Sequence, residues 1–261
     1  MRNKVIFLIL IIIGLGLFFG WPRTINQPEI NNALVEKPAI KAVEQIEPEK
    51  VLPAAEIAEE ENGGMVEDLP AEELLAKKAL IAVPFLSQAP FANWDPLHED
   101  ACEEASLIML KYFLDGKKTI TKETGEEEIQ ALVKYEEENG FSLSITLTEL
   151  SNLAKSYYGL SNGRVETDIN IEKIKEELRA GRPVIVGAAG KILDNPNFKN
   201  GGPIYHMLVI KGYDESGFIT NDPGTRKGEG FRYTEANLFE AVHDWDENNI
   251  LNGQKAYLVF D

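Results

Sequence analysis

The chain of 261 residues has one cysteine, Cys102, so no disulfide can form within it. It has three histidines, and no Cys/His pair carries the short spacing of a zinc motif. Phosphate-loop and dinucleotide-binding glycine patterns are absent, and no internal repeat is apparent. Basic residues are also in the minority, 26 against 43 acidic ones, for a net charge of −17. That balance argues against nucleic acid or an anionic lipid surface as a partner. Much of the charge sits in Glu/Lys-rich helical stretches and in the N-terminal third, where it reads as solvated surface.

The long hydrophobic runs reduce to one, the uncharged 17-residue stretch from Val5 to Trp21, preceded by Arg2 and Lys4 and followed by Arg23. It is at the short limit for crossing a bilayer and long for a signal-peptide core. No small-x-small cleavage site follows it. An uncleaved, single-pass signal anchor over residues 1–21 is the expectation, with a cleaved signal peptide as the alternative. In both cases the remainder is exported, either held at the membrane or secreted. An unpaired thiol in that compartment is unusual, which favours a reactive role for Cys102.

Residues 22–78 are rich in Pro, Ala and Glu, with fragments such as Glu47-Pro48-Glu49 and Leu52-Pro53-Ala54-Ala55. They read as an extended, charged spacer, with short helices possible at Glu56–Met65 and Ala71–Leu80. The globular domain is expected over 79–261, a length that suits one core.

That domain begins with an extended segment from Leu80 to Leu86, followed by Ser87-Gln88 and a loop from Ala89 to Glu99. A helix from Ala101 to Leu114 is apolar almost all round, through Leu107, Ile108, Met109, Leu110, Tyr112 and Phe113, and is expected at the centre of the fold. Asp100 and Glu103 have the spacing of a capping box for it. Amphipathic helices follow at Glu126–Glu138, at Leu147–Tyr158 with Thr146 and Glu149 as a second capping box, and at Ile171–Ala180. The pattern then turns to strands, at Pro183–Ala188, Met207–Ile210, Phe218–Thr220 and Ala256–Phe260, with a helix at Glu235–Val242 before the last. Helices first and strands later define an α+β domain with a largely antiparallel sheet.

Cys102 stands at the mouth of the apolar helix, where unpaired N–H groups and the helix dipole favour a thiolate. Glu103 and Glu104 oppose that effect if their side chains lie close. Read alone, a lone cysteine is more often a small packed hydrophobe. A thiol nucleophile needs a base held on a stiff element. His206, opening a strand after the Gly201-Gly202 loop, fits better than His98 in a loop or His243 at the end of a polar helix. Asp222 ends the next strand, so a hairpin would bring it beside His206 as orienting group, with Asn221 and Asp214 as weaker alternatives. Asn221-Asp222-Pro223-Gly224 is equally a plain turn signal. Gln88 is the candidate second oxyanion donor. Metal binding by His98, Cys102, His206 and Asp222 is the competing chemistry.

Four segments, Val83–Gln88, Ala101–Leu110, His206–Asp214 and Asn221–Thr225, resemble the papain-fold cysteine peptidases of the bacteriocin-leader-processing type, the C-thirty-nine-like family. The resemblance implies a papain-like fold with Cys102 as nucleophile, His206 as base, Asp222 as orienting residue and Gln88 as oxyanion donor. It implies a peptide or protein substrate, and no metal or cofactor. Two departures stand out. The family usually has Gly-Pro where this chain has Glu103-Glu104, and Gln88 is further from Cys102 than usual. Trp94, His98, Glu103, Glu104 and Tyr205 are therefore expected along the substrate cleft. The resulting expectation is an exported, membrane-anchored thiol hydrolase of peptide or amide bonds. The alternatives are an inactive peptide-binding domain of the same fold and a cell-wall amidase or endopeptidase.

Overall fold

A computed structural model describes residues 77–261. The expected anchor and nearly all of the expected spacer lie outside the described residues. Among the described residues no helix is long and apolar enough to cross a membrane.

The domain is α+β. Its helices are α1 (Pro96–Glu99), α2 (Cys102–Leu114), α3 (Lys122–Asn139), α4 (Leu147–Tyr158), α5 (Ile171–Arg179) and α6 (Glu235–Ala241). Its strands are β1 (Ala79–Leu80), β2 (Gly163–Glu166), β3 (Val184–Ala189), β4 (Tyr205–Asp214), β5 (Gly217–Asn221), β6 (Glu229–Tyr233) and β7 (Tyr257–Phe260). All pairings are antiparallel, in the order β2-β7-β3-β4-β5-β6, with β1 added to the far end of β4.

Helix α2 is buried along nearly its whole length, as an all-round apolar helix must be, and packs on β4. The expected capping box at α4 is present: Thr146 Oγ1 accepts from the Glu149 N–H, and Glu149 accepts from the Thr146 N–H at 2.8 Å. The left-handed Gly140 and Gly159 close α3 and α4.

Strand β4 is the axis of the sheet. Its register sets His206 opposite Ala188 of β3 and Val209 opposite Asn221 of β5. Asp222, one residue past the end of β5, is thereby delivered to the same end of β4 as His206.

The sequence placed the end of β4 at Ile210, but the strand continues to Asp214 through a register shift between Ile210 and Gly212. Gly212 is needed there for another reason: a Cβ at that position would stand 2.4 Å from the Ala79 carbonyl of β1. Strand β1 also shows that the helix expected over Ala71–Leu80 does not reach its end, since Ala79–Leu80 is extended. Strands β2 and β6 were not anticipated. Both are edge strands of four and five residues, partly exposed, with a glycine in each. They lack the apolar run that marks a buried strand.

From β1 the chain runs past β4 to the Asp222 turn. Ile81 N–H donates to the Lys211 carbonyl at 2.7 Å, Asn221 Nδ2 donates to the Val83 and Pro84 carbonyls at 3.1 Å each, and Gln88 N–H donates to the Pro223 carbonyl at 3.0 Å. Gly212→Ala should therefore loosen β1 from β4 and cost about 1–3 kcal/mol. The measurements are denaturant unfolding and amide exchange, with faster exchange expected at Ile81.

Candidate active site

Helix α1 brings the chain to Cys102. Asp95 caps it, accepting from the His98 N–H at 3.1 Å, and Pro96 opens it. Cys102 is the first residue of α2, with Ala101 as N-cap and no side chain capping the first turn. The Asp100–Glu103 capping box expected from the sequence is thus not formed. Glu103 has a nearer donor: its Oε2 accepts the Cys102 S–H at 2.8 Å. Across the helix mouth the Met207 backbone N–H faces the sulfur. Burial pushes the thiol well above its ordinary range, and the Glu103 and Glu104 carboxylates push it further. The helix dipole does not prevail at this cysteine.

His206 and Asp222 form a buried pair, Nε2 to Oδ1 at 2.8 Å. With Nε2 engaged, Nδ1 is the ring nitrogen left for proton exchange. Phe198 meets the imidazole edge to face with centroids 5.2 Å apart, and Gly224 lies beside it, where a Cβ would stand 2.8 Å from Cε1. Asp222 is held on every side. Tyr233 Oη–H donates to Oδ2 at 2.6 Å, Asn195 Nδ2 donates to Oδ2 at 3.1 Å and to the Tyr233 oxygen at 2.7 Å, and the Gly224 N–H donates to Oδ1 at 3.0 Å. Burial would raise this carboxyl; His206 and these donors outweigh it and hold it below the usual carboxylate range. Asn195 and Tyr233 were missed in the sequence. Asn195 sits in a loop after β3 and Tyr233 in the unanticipated β6, so no local pattern pointed to either.

The alternative orienting residues lie elsewhere. Asn221 spends its side chain on the Val83 and Pro84 carbonyls. Asp214 is at the far end of β4, bound to Ser216 and Arg232. His243 lies just past α6, its Nδ1 3.2 Å from the Ala241 carbonyl.

Gln88 reaches the loop leading to Cys102, but as a clamp. Its Nε2 donates to the carbonyls of His98 at 2.8 Å and Glu99 at 3.1 Å, while Oε1 is buried without a partner. Both amide hydrogens are thus engaged, and donation to an oxyanion requires one of these bonds to release.

Of the residues expected along the cleft, only Trp94 is substantially exposed, at 37 %. His98 is buried, with Nδ1 2.8 Å from Asp95 Oδ1 and Nε2 3.0 Å from Glu126 Oε1, so it ties α1 to α3 and lines no cleft. Tyr205 is buried and donates to the Ile145 carbonyl at 3.2 Å, because the period of β4 turns it away from the His206 side. Glu103 and Glu104 are buried as well. Glu104 shares a hydrogen bond with Glu136 of α3. Phe91, in the loop before α1, and Ile204, two residues before His206, are exposed. Among the described residues no group of three or more His, Cys, Asp or Glu is arranged to hold a metal ion.

The structure thus brings His206 and Asp222 into direct contact and sets Cys102 against the next residue of the same strand. Among the described residues the cysteine's side-chain hydrogen bond goes to Glu103, not to His206. The frame is α+β, with a thiol at a helix mouth against the strand that carries a buried His–Asp pair. Residues 80–249 match the Peptidase_C39 like family, and the chain belongs to that family, one of peptidases. A solved structure named as a C39-like peptidase from Bacillus anthracis is 19 % identical, over 71 % of this chain and 98 % of that one, with a TM-score of 0.46. No curated protein matches the chain.

The acids beneath Cys102 should govern stability at neutral pH. Burial, then neighbouring carboxylates, raise Glu103 to about 8, and burial raises Glu136 to about 7, from 4.5; Glu104 is raised as well. In the unfolded chain these groups ionise near 4.5, so between that pH and about 8 the folded state binds more protons and stability falls as pH rises. Thermal unfolding should therefore show a higher Tm at about pH 5.5 than at about pH 8.5. Glu104→Gln, which can still donate to Glu136, should recover about 2 kcal/mol at the higher pH and little at the lower. Asp222 acts in the opposite sense: its stabilisation is present above the unfolded carboxyl value and is lost only as pH falls through its lowered folded one.

Proposed function

We propose that the protein is a thiol hydrolase that cleaves peptide or amide bonds, with Cys102 as nucleophile, His206 as base and Asp222 as the group that orients the imidazole. The observation that carries this reading is the buried 2.8 Å pair between His206 Nε2 and Asp222 Oδ1, which turns Nδ1 into the exchanging nitrogen on the strand that faces the sulfur. In the first step Nδ1 takes the thiol proton as sulfur bonds to the acyl carbon, and the carbonyl electron pair moves to oxygen. The uncapped N–H groups of the first turn of α2 are the nearest oxyanion donors, joined by Gln88 when it releases one of its loop carbonyls. The imidazolium then protonates the departing amine. Water, deprotonated by His206, releases the acyl group and restores the thiol.

The raised thiol makes this a general-base mechanism that starts from the neutral thiol rather than from a preformed thiolate. The exposed apolar side chains Phe91 and Trp94, in the loop before α1, and Ile204, two residues before His206, would favour an apolar substrate side chain. The uncharged run Val5–Trp21 with its basic flanks supports export and attachment to the membrane, with the domain outside the cytoplasm.

The test is turnover of a peptide library by the purified full chain. Cys102→Ser and His206→Ala should abolish cleavage, and Asp222→Asn should lower kcat by about 10²–10⁴-fold with little change in KM. Tyr233→Phe should lower kcat by roughly tenfold, by removing one of the donors that hold Asp222. The Glu103 bond to the thiol favours a second reading, a peptide-binding domain without turnover. Peptide binding that survives Cys102→Ala, with no cleavage by the wild type, would establish that reading instead.

A further inference from the structure

We propose that Glu103 is a positioning residue for the nucleophile: it holds the Cys102 S–H in the resting protein, and the thiol must leave it for His206 before reaction. The inference rests on the assignment of Cys102 as nucleophile and adds a control that assignment does not contain.

The geometry is direct. Glu103 Oε2 is 2.8 Å from Sγ, and the residue is 2 % exposed, so water does not compete for the bond. The other oxygen, Oε1, is buried without a hydrogen-bond partner, and the Ile145 backbone N–H faces the carboxyl as a further donor. Glu103 can make this contact because Ala101, not Asp100, occupies the cap position and leaves it free of a capping box.

The surroundings reinforce it. On α2 the neighbour is Glu104; from α3 comes Glu136; Asp100 precedes the helix and acts on Glu104. From β4, Tyr205 stands near both Glu103 and the thiol, with Asp244 on its hydroxyl, and the Met207 N–H faces the sulfur. The remaining titratable neighbour on β4 is His206, whose Nε2 is taken by Asp222. Apart from His206 these groups are all acids, so the environment keeps the sulfur protonated. Activation is a proton hand-over: the S–H bond breaks, its electron pair stays on sulfur, the proton goes to His206 Nδ1, and Glu103 loses its donor. Loss of the S–H···O bond opposes this step, and above about pH 8, where Glu103 ionises, its charge opposes the thiolate as well, so Glu103 sets the threshold for it. The same bond keeps the thiol in its less oxidisable form until a substrate arrives.

The test is the pH dependence of iodoacetamide labelling of Cys102 in the full chain, with Cys102→Ser as blank. In Glu103→Gln and Glu103→Ala the midpoint should fall by about one pH unit or more, giving roughly tenfold faster labelling near pH 9, where Glu103 of the wild type is ionised. Glu104→Gln, which does not touch the sulfur, should shift it less. Midpoints in both Glu103 variants equal to or above the wild type would overturn the proposal. Because those variants can be destabilised, a second measurement uses the unaltered protein: the infrared S–H stretch should lie below that of a free thiol, as a strong S–H···O bond requires. A wild-type band at the free-thiol position would equally overturn the assignment. Neither readout uses a substrate. Absence of peptide cleavage by the wild type would count against the peptidase reading and leave the Glu103 result standing.

Discussion

A fully buried carboxylate must be surrounded by donors or a cation, or it does not stay ionised. Asp222 meets that condition, and much of the domain's architecture follows from it. β4 contributes His206, the turn after β5 contributes the Gly224 N–H, β6 contributes Tyr233, and the loop after β3 contributes Asn195. Gly228 belongs to the same set: a Cβ there would overlap the Asp222 carbonyl, and the Asp222 N–H donates to the Gly228 carbonyl at 3.0 Å. One side chain thus ties two strands and two loops together, and its by-product is an imidazole whose tautomer and orientation are determined.

Cys102 experiences the opposite electrostatics a short distance away. Its side of β4 is crowded with carboxyl groups that burial pushes toward the neutral form, and the thiol shares that fate. The two halves of the candidate site are therefore in different protonation regimes. The Asp222 side holds an ionised acid on donors, while the Glu103 side holds acids and a thiol that keep their protons. In the proposed mechanism, chemistry at the sulfur depends on passing a proton from the second regime to the first.

Several features were legible because they are local. Thr146 and Glu149 announce a capping box three residues apart, and it forms. The all-round apolarity of Leu107 to Phe113 announces a central helix, and α2 is buried. His206 opening a strand and Asp222 closing the next were placed together by hairpin geometry alone, and they do meet at 2.8 Å. Other features were illegible for equally physical reasons. Asp100 and Glu103 have the spacing of a capping box, but spacing cannot weigh a cap against a neighbouring S–H donor. Strands β2 and β6 are short edges, whose pairing depends on a neighbouring strand more than on their own residues. His98 looks like a loop residue free for the cleft, and only the distant Glu126 reveals it as a latch.

Local chemistry was enough for the kind of domain and for the pairing of His206 with Asp222: helical period, strand period, caps and turns are written in residues close together in the chain. The environment of those groups was settled by packing. Whether Glu103 faces solvent or sulfur, whether Gln88 presents its amide or spends it on two carbonyls, and which residues support Asp222 all depend on contacts between segments distant in sequence. Hydrogen bonding and desolvation act through space at about 3 Å, a range that sequence spacing does not encode.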